Sequence, residues 1–214
     1  MRAHVFDMDG TLLHGTTALV LLADALGQPE SLGTLEAEFA AGSTTTVDIA
    51  KAIHEMWGIV DPEVIQRAFA AAPLLANIRE VLADVRARGE RACLITMSPD
   101  YFAEQFLEFG FDTVFASRFP RAAGTPLDAT RILHPRDKPR LAERFCGEHG
   151  LTLDDAIAYG DSMSDVFLFD EVGVRVSVNG DHHLAERADV AVTGRDLLPA
   201  YRAARELAGD PAFP

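Results

Sequence analysis

A short apolar run at residues 3–6 ends in Asp7-Met8-Asp9-Gly10-Thr11, which sets two carboxylates one residue apart. On an extended strand, residues two apart point to the same side. Like charges that close resist ionising together, so the pair is costly unless a cation or a reaction needs both. The chemistry suggested is cation binding or carboxylate-assisted group transfer, and it requires partners from elsewhere in the chain.

Three further positions offer them. Ser98 follows an apolar run at 92–97, Lys138 precedes a helical stretch, and Gly160-Asp161-Ser162-Met163-Ser164-Asp165 follows an apolar run at 156–159. Two acidic clusters, a hydroxyl and an amine fit a magnesium-dependent phosphoryl-transfer site: oxygen ligands for a hard cation, and a cationic group and a hydroxyl for phosphate. Thr96 competes with Ser98 as that hydroxyl, and Ser98 before Pro99 also suits a helix N-cap. Lys51 and Lys138 are the only lysines among 19 basic side chains. A compact ammonium at 138, where arginine is the habitual cation, points to a need for a point charge. His14 and Thr16 follow the acidic loop and are candidates to face a substrate. His182-His183, past Gly180, reads as a solvated turn rather than a metal site.

These groups meet only if the elements bring them together. Residues 2–7 read as a buried strand. From Thr16 the period changes: Leu19, Leu22, Ala23 and Leu26 line one helix face and Gly27 ends it. Pro29 opens a helix with Leu32, Leu35 and Phe39 on its apolar face. Thr46 caps a third carrying Ile49, Ile53 and Trp57, and Pro62 starts a fourth running through Ala72. After Pro73 strands and helices alternate. The pattern predicts a helix with Ile78, Val81, Leu82 and Val85 on one face and Gly89 at its end, then helices from Pro99 through Phe102, Phe106 and Phe109, at 138–149, near Leu184 and at 197–207. Strands are expected at 92–97, 113–116, 129–133, 156–159, 174–178 and 190–192. The expected fold is α/β: a doubly wound, Rossmann-like parallel sheet with helices on both faces and a small helical-bundle cap. The core would comprise 1–14 and 74–214, and the cap 15–73. Functional groups in such a sheet gather beyond the carboxyl ends of the strands, where the two acidic clusters and Ser98 fall, with Lys138 at a helix start. The tail at 209–214 is expected to fray.

In that order, D-x-D-x-T, a strand-ending Ser, Lys and then G-D-S-x-x-D, the chain resembles the haloacid dehalogenase superfamily of phosphatases and phosphotransferases. The layout looks most like the phosphoserine phosphatase branch. The resemblance implies Asp7 as nucleophile forming an aspartyl-phosphate, and Asp9 as general acid and then base. It implies Mg2+ held by Asp7, the main-chain carbonyl of Asp9, Asp161 and Asp165, with Asp165 alternatively holding the lysine. Ser98 and Lys138, with Gly10 and Thr11 of the acidic loop, would bind phosphate; Thr11 would also orient Asp9 or brace the loop. The helical insertion after the first strand would be the substrate-selecting cap. The branch carries a Glu nine residues past the nucleophile to recognise the substrate's amino group, and here that position is Thr16. Residues 31–66 hold no Arg for a substrate carboxylate. The Gly-Gly usual after the Ser is Pro99-Asp100. A small, neutral or hydroxyl-rich phosphate ester is therefore expected in place of phosphoserine. A phosphotransferase or phosphomutase would use the same intermediate. A receiver-like or non-catalytic phosphate-binding module is the reading from another class.

Composition sets the outer bounds. The 214 residues are 48% hydrophobic and 24% charged, enough for a real core. A formal net charge of -14 argues against a nucleic-acid partner. No apolar run reaches the ~20 residues that span a membrane, and the first residues lack a signal-peptide plan. Cys93 and Cys146 are expected as reduced, buried thiols of a cytoplasmic protein.

Overall fold

The computed structural model describes residues 1–40 and 43–210. Six strands form one sheet: β1 (Ala3–Phe6), β2 (Arg91–Pro99), β3 (Thr113–Ser117), β4 (Ala156–Gly160), β5 (Val174–Val178) and β6 (Val190–Val192). Their order is β3-β2-β1-β4-β5-β6, and every neighbouring pair is parallel. The chain works outward from β1 to β3, then returns to pair β4 on the other side of β1. The winding reverses there, opening a crevice beyond the carboxyl ends of β1, β2 and β4. This is the doubly wound sheet expected from the sequence.

Alternation along β1 divides the core into two layers. Ala3 and Val5 pack with Cys93, Ile95, Phe145 and Phe169, under α7 (Asp137–Glu148) and the short α8 (Val166–Phe169). Phe6 faces the other way, stacked on Tyr159 with ring centroids 4.2 Å apart. That layer is covered by α5 (Ile78–Ala87), which buries Ile78, Val81, Leu82 and Val85, and by α9 (Leu198–Leu207). Both cysteines are buried, free thiols.

Between β1 and α5 lie α1 (Ala18–Ala25), α2 (Gly33–Ala40), α3 (Thr46–Trp57) and α4 (Pro62–Ala70), with no strand among the described residues. The Thr17 hydroxyl caps α1 by accepting from Val20 N at 3.2 Å. Thr45, not Thr46, caps α3: it is extended and exchanges side-chain and backbone hydrogen bonds with Asp48. Thr46 is thereby freed to bond His134 Nδ1 at 2.9 Å, tying α3 to the sheet layer. Pro29 opens only a 3₁₀ turn, Pro29–Ser31, ahead of α2. The side chain of Phe39 and residues 211–214 of the tail lie outside the described residues.

Three further expectations are corrected. Residues 129–133 are not a strand: Ala129–Arg131 is a 3₁₀ turn, because the Asp128 carboxylate accepts from Thr130 N and curls the chain. The stretch around Leu184 is a run of turns, with Leu184 buried at its centre. The helix after Pro99 breaks into α6 (Asp100–Ala103) and a 3₁₀ stretch, Glu104–Phe109. Phe102 and Phe106 nevertheless share a face and pack edge-on against Phe69 of α4, which seats the helical segment on the sheet layer.

Candidate active site

β1 stops at Phe6, and Asp7 N donates to Tyr159 O of β4 at 2.9 Å. The backbone then turns: Leu12 N and Leu13 N both donate to Met8 O, and Gly10 takes φ +79°. Because the turn begins at once, the two carboxylates diverge instead of pointing the same way as strand alternation predicts. Asp7 faces α7, where the Lys138 Nζ donates to Asp7 Oδ1 at 2.6 Å, Asp165 Oδ1 at 2.6 Å and Ser164 Oγ at 3.3 Å. Asp9 faces the helical segment: its Oδ1 accepts from Ala18 N at 2.6 Å, at the start of α1. Its Oδ2 accepts from Ser98 Oγ at 2.8 Å and Thr96 Oγ1 at 3.0 Å.

Thr96 and Ser98 lie two apart on β2 and so share a face. Ser98 lines the chamber above the site, whereas Thr96 is buried and accepts from Ser98 N at 3.1 Å. Ser98 is not a helix cap; that position falls to Pro99. Beyond β4, Asp165 Oδ2 accepts from Asp161 N at 3.0 Å and Ser162 N at 3.3 Å while Oδ1 receives Lys138. Asp165 thus holds the lysine, and its carboxylate also stands in one acidic cluster with Asp7 and Asp161. It leaves Asp161 to project over the glycine turn: a Cβ on Gly10 would overlap the Asp161 carboxylate.

Carboxylate oxygens of Asp7, Asp161 and Asp165 lie within 4.8 Å of one another. Against the single ammonium of Lys138 they leave two formal negative charges. Burial pushes Asp7 up to about 8 against the pull of Lys138. Burial, together with the charges of Asp7 and Asp165, pushes Asp161 up to about 9. Burial also raises Asp9, opposed by its hydrogen bonds from Ala18, Ser98 and Thr96. Among the described residues, Asp161 Oδ1 is buried without a hydrogen-bond partner. Hard oxygen donors, an orphaned carboxylate oxygen and a two-charge excess fit a divalent cation held by Asp7 and Asp161.

A chamber of about 560 Å³ rises from this floor toward α1 and α3. Gly10 and Thr16 line it, and Gly10 N donates to Thr16 O at 3.3 Å. Two expected site residues do not reach it. Thr11 is fully buried, with its hydroxyl unpartnered among the described residues. His14 is drawn aside as its backbone N donates to Pro73 O at 2.9 Å. His182 and His183 sit on a turn, and His183 Nδ1 lies 3.0 Å from Asp181 Oδ2. The Ala18 amide was not foreseen as a partner of Asp9; the signal was Thr17, an N-cap whose helix start presents free amides to an anion.

Residues 4–170 match the family model of the haloacid dehalogenase-like hydrolases, a span that contains every site group above. The chain belongs to this family. Among curated relatives of this haloacid dehalogenase-like hydrolase is a phosphoserine phosphatase of Archaeoglobus fulgidus, 22% identical over 203 residues. That match covers 92% of this chain and 58% of the relative, so the chain spans little more than half of that protein's length. A phosphoserine phosphatase of Methanocaldococcus jannaschii is 22% identical, with 90% of this chain and 92% of the relative covered. In fold the hydrolase is similar to a structure described as a phospho-aspartyl intermediate analogue of phosphoserine phosphatase. The TM-score is 0.76 at 21% identity, covering 92% of this chain and 95% of that one.

Proposed function

We propose that this hydrolase is a phosphatase of small organic phosphate monoesters, working through an aspartyl-phosphate on Asp7. The observation that carries the reading is the shared grip of Lys138 on Asp7 and Asp165 beside the unpartnered oxygen of Asp161. A nucleophilic carboxylate is thereby fixed at one rim of a cation-sized cluster of oxygens. Asp7 and Asp161, with the main-chain carbonyl of Asp9, would hold Mg2+, which when bound supplies charge neutralisation for the phosphoryl oxygens.

In the first step an Asp7 oxygen forms a bond to phosphorus as the bond to the alcohol oxygen breaks, and protonated Asp9 passes its proton to the departing alkoxide. In the second, Asp9 takes a proton from water as that water attacks phosphorus, returning Asp7 and releasing phosphate. Burial, which raises Asp9, favours the protonated form that the first step needs. Ser98, at the chamber edge, and Lys138 would steady phosphoryl oxygens. The helices at 15–73 would act as the cap, excluding bulk water. Residues 1–14 and 74–214 would form the catalytic core.

The relatives' names make O-phosphoserine one candidate substrate. Thr16 at the position of the branch's Glu speaks for another ester. The same intermediate would serve a phosphotransferase, with a second alcohol in place of water. The test is hydrolysis of p-nitrophenyl phosphate. We expect it to require Mg2+, to stop on chelation, and to fall by at least about 10³-fold in Asp7→Asn. Metal-independent turnover, or an active Asp7→Asn, would refute the reading.

A further inference from the structure

The chamber over Asp7 has a polar floor and an apolar roof. Its charged lining residues, among those described, are Asp7, Asp9 and Asp161, all at the floor. Its hydroxyls are those of Ser98, which donates to Asp9, of Ser162 and Ser164 on either side of Met163 after β4, of Thr16, of Thr17, which caps α1, and of Thr46, which is engaged by His134. Higher up, α1 contributes Leu19 and Val20, α3 contributes Ile49 and Ile53, and the chain after β3 contributes Phe119. No described lining side chain is a cation or amide that could pair a carboxylate. No described acid lies up on the roof to pair an ammonium.

Resting on the phosphatase reading, we propose that the substrate is the phosphate monoester of an uncharged, predominantly apolar alcohol, whose carbon chain or ring fills the space beneath α1 and α3. The phosphate is bound by the groups at the floor. The alcohol is then selected by what it loses on entering the chamber. An apolar group leaves water favourably there, whereas the ammonium and carboxylate of an amino acid would be stripped of water with no countercharge beside them. Rejection of a charged isostere by such a pocket is stronger than its preference among apolar ones, because each buried methylene adds a small, regular increment. A volume of about 560 Å³ is that of a small-molecule site and leaves room well beyond a serine-sized group.

The experiment is kcat/KM for the n-alkyl phosphates from propyl to hexyl, whose leaving groups are chemically alike, alongside O-phospho-L-serine. Binding of the matching n-alkylphosphonates is measured by calorimetry. The expected result is a rise of about fourfold per methylene in both series. O-phospho-L-serine should be at least about 10²-fold poorer than butyl phosphate. Ile49→Ala, a partly buried wall position, should flatten the alkyl slope. A flat alkyl series, or preference for O-phospho-L-serine, in an enzyme that hydrolyses p-nitrophenyl phosphate overturns the apolar substrate and leaves the phosphatase reading standing. If no ester is hydrolysed, the phosphatase reading fails instead, and the substrate proposal falls with it. A flat phosphonate series then shows that the chamber also lacks apolar selectivity.

Discussion

Asp7 and Asp9 share burial but not partners. Asp7 is tied to an ammonium and two acids, while Asp9 accepts three hydrogen bonds from a helix amide and two hydroxyls. The first environment suits a nucleophile held in one place, and the second a group that exchanges protons with a leaving alcohol and then with water. Asp9→Asn should therefore slow turnover by about 10²–10⁴-fold, with phosphoenzyme accumulating because its hydrolysis has lost the base; quench-flow with a chromogenic ester measures both. Wild-type turnover would remove Asp9 from proton transfer. Gly10 is the second decisive residue. Its positive φ strains any other side chain, and a methyl there meets the Asp161 carboxylate. Gly10→Ala should cost at least about 10²-fold in kcat by displacing a cluster that works only in register. Gly27→Ala, at a similar φ but with nothing within 4 Å, should keep kcat near wild type.

At the scale of elements, the sequence revealed which residues end up at strand ends, since an apolar run followed by acids or hydroxyls marks both the strand and its boundary. It did not reveal where their side chains point. The divergence of Asp7 from Asp9 follows from a turn begun one residue after β1, and the pairing of Asp9 with Ala18 N uses a backbone group common to every residue type but proline. The missing strand at 129–133 has a similar cause. An alternating pattern is weak evidence where a local side chain such as Asp128 can satisfy the backbone first. The helical segment was legible as helices because its caps and prolines are explicit. Its attachment through Phe69 and Thr46 was not, since those contacts are long-range.

Across the whole molecule the two ends of the sheet carry different buried polar clusters. At the carboxyl end of the sheet lies the chamber. Near the amino end, His4 Nε2 meets Glu90 Oε2 at 3.0 Å and Tyr159 OH lies 3.1 Å from its Nδ1. Arg205 of α9 donates to the same Glu90 oxygen at 2.8 Å. Burial lowers the His4 pKa below 6.5 in spite of Glu90, so the folded protein holds this ring neutral. Burial would raise Glu90, but hydrogen bonds from His4 and Arg205 outweigh it and bring the carboxyl down to about 2. Both shifts act in one direction. Below pH 6.5 the unfolded chain protonates a histidine that the fold keeps neutral; below 4.5 it also protonates a glutamate that the fold keeps ionised. Stability should thus be fullest above pH 6.5, decline on acidification, and lose the Glu90 contribution as pH falls toward about 2. Glu90→Gln should lower neutral-pH stability by about 3 kcal/mol, because Arg205 loses its counter-charge at 2.8 Å and keeps the longer contact to Asp210 at 3.7 Å, and should flatten the acid limb. Thermal melts across pH check both, and an unchanged melting temperature would deny the network a structural role.

The proposed function requires covalent chemistry at Asp7. Wild-type protein, or Asp9→Asn if turnover is too fast, should be mixed with Mg2+ and p-nitrophenyl phosphate and quenched in acid within the first turnover. Peptide mapping by mass spectrometry should then find one phosphoryl group on the peptide bearing Asp7, released by hydroxylamine and absent when Mg2+ is chelated. Phosphoryl transfer to any other residue, or steady turnover with Asp7 never modified, would contradict it.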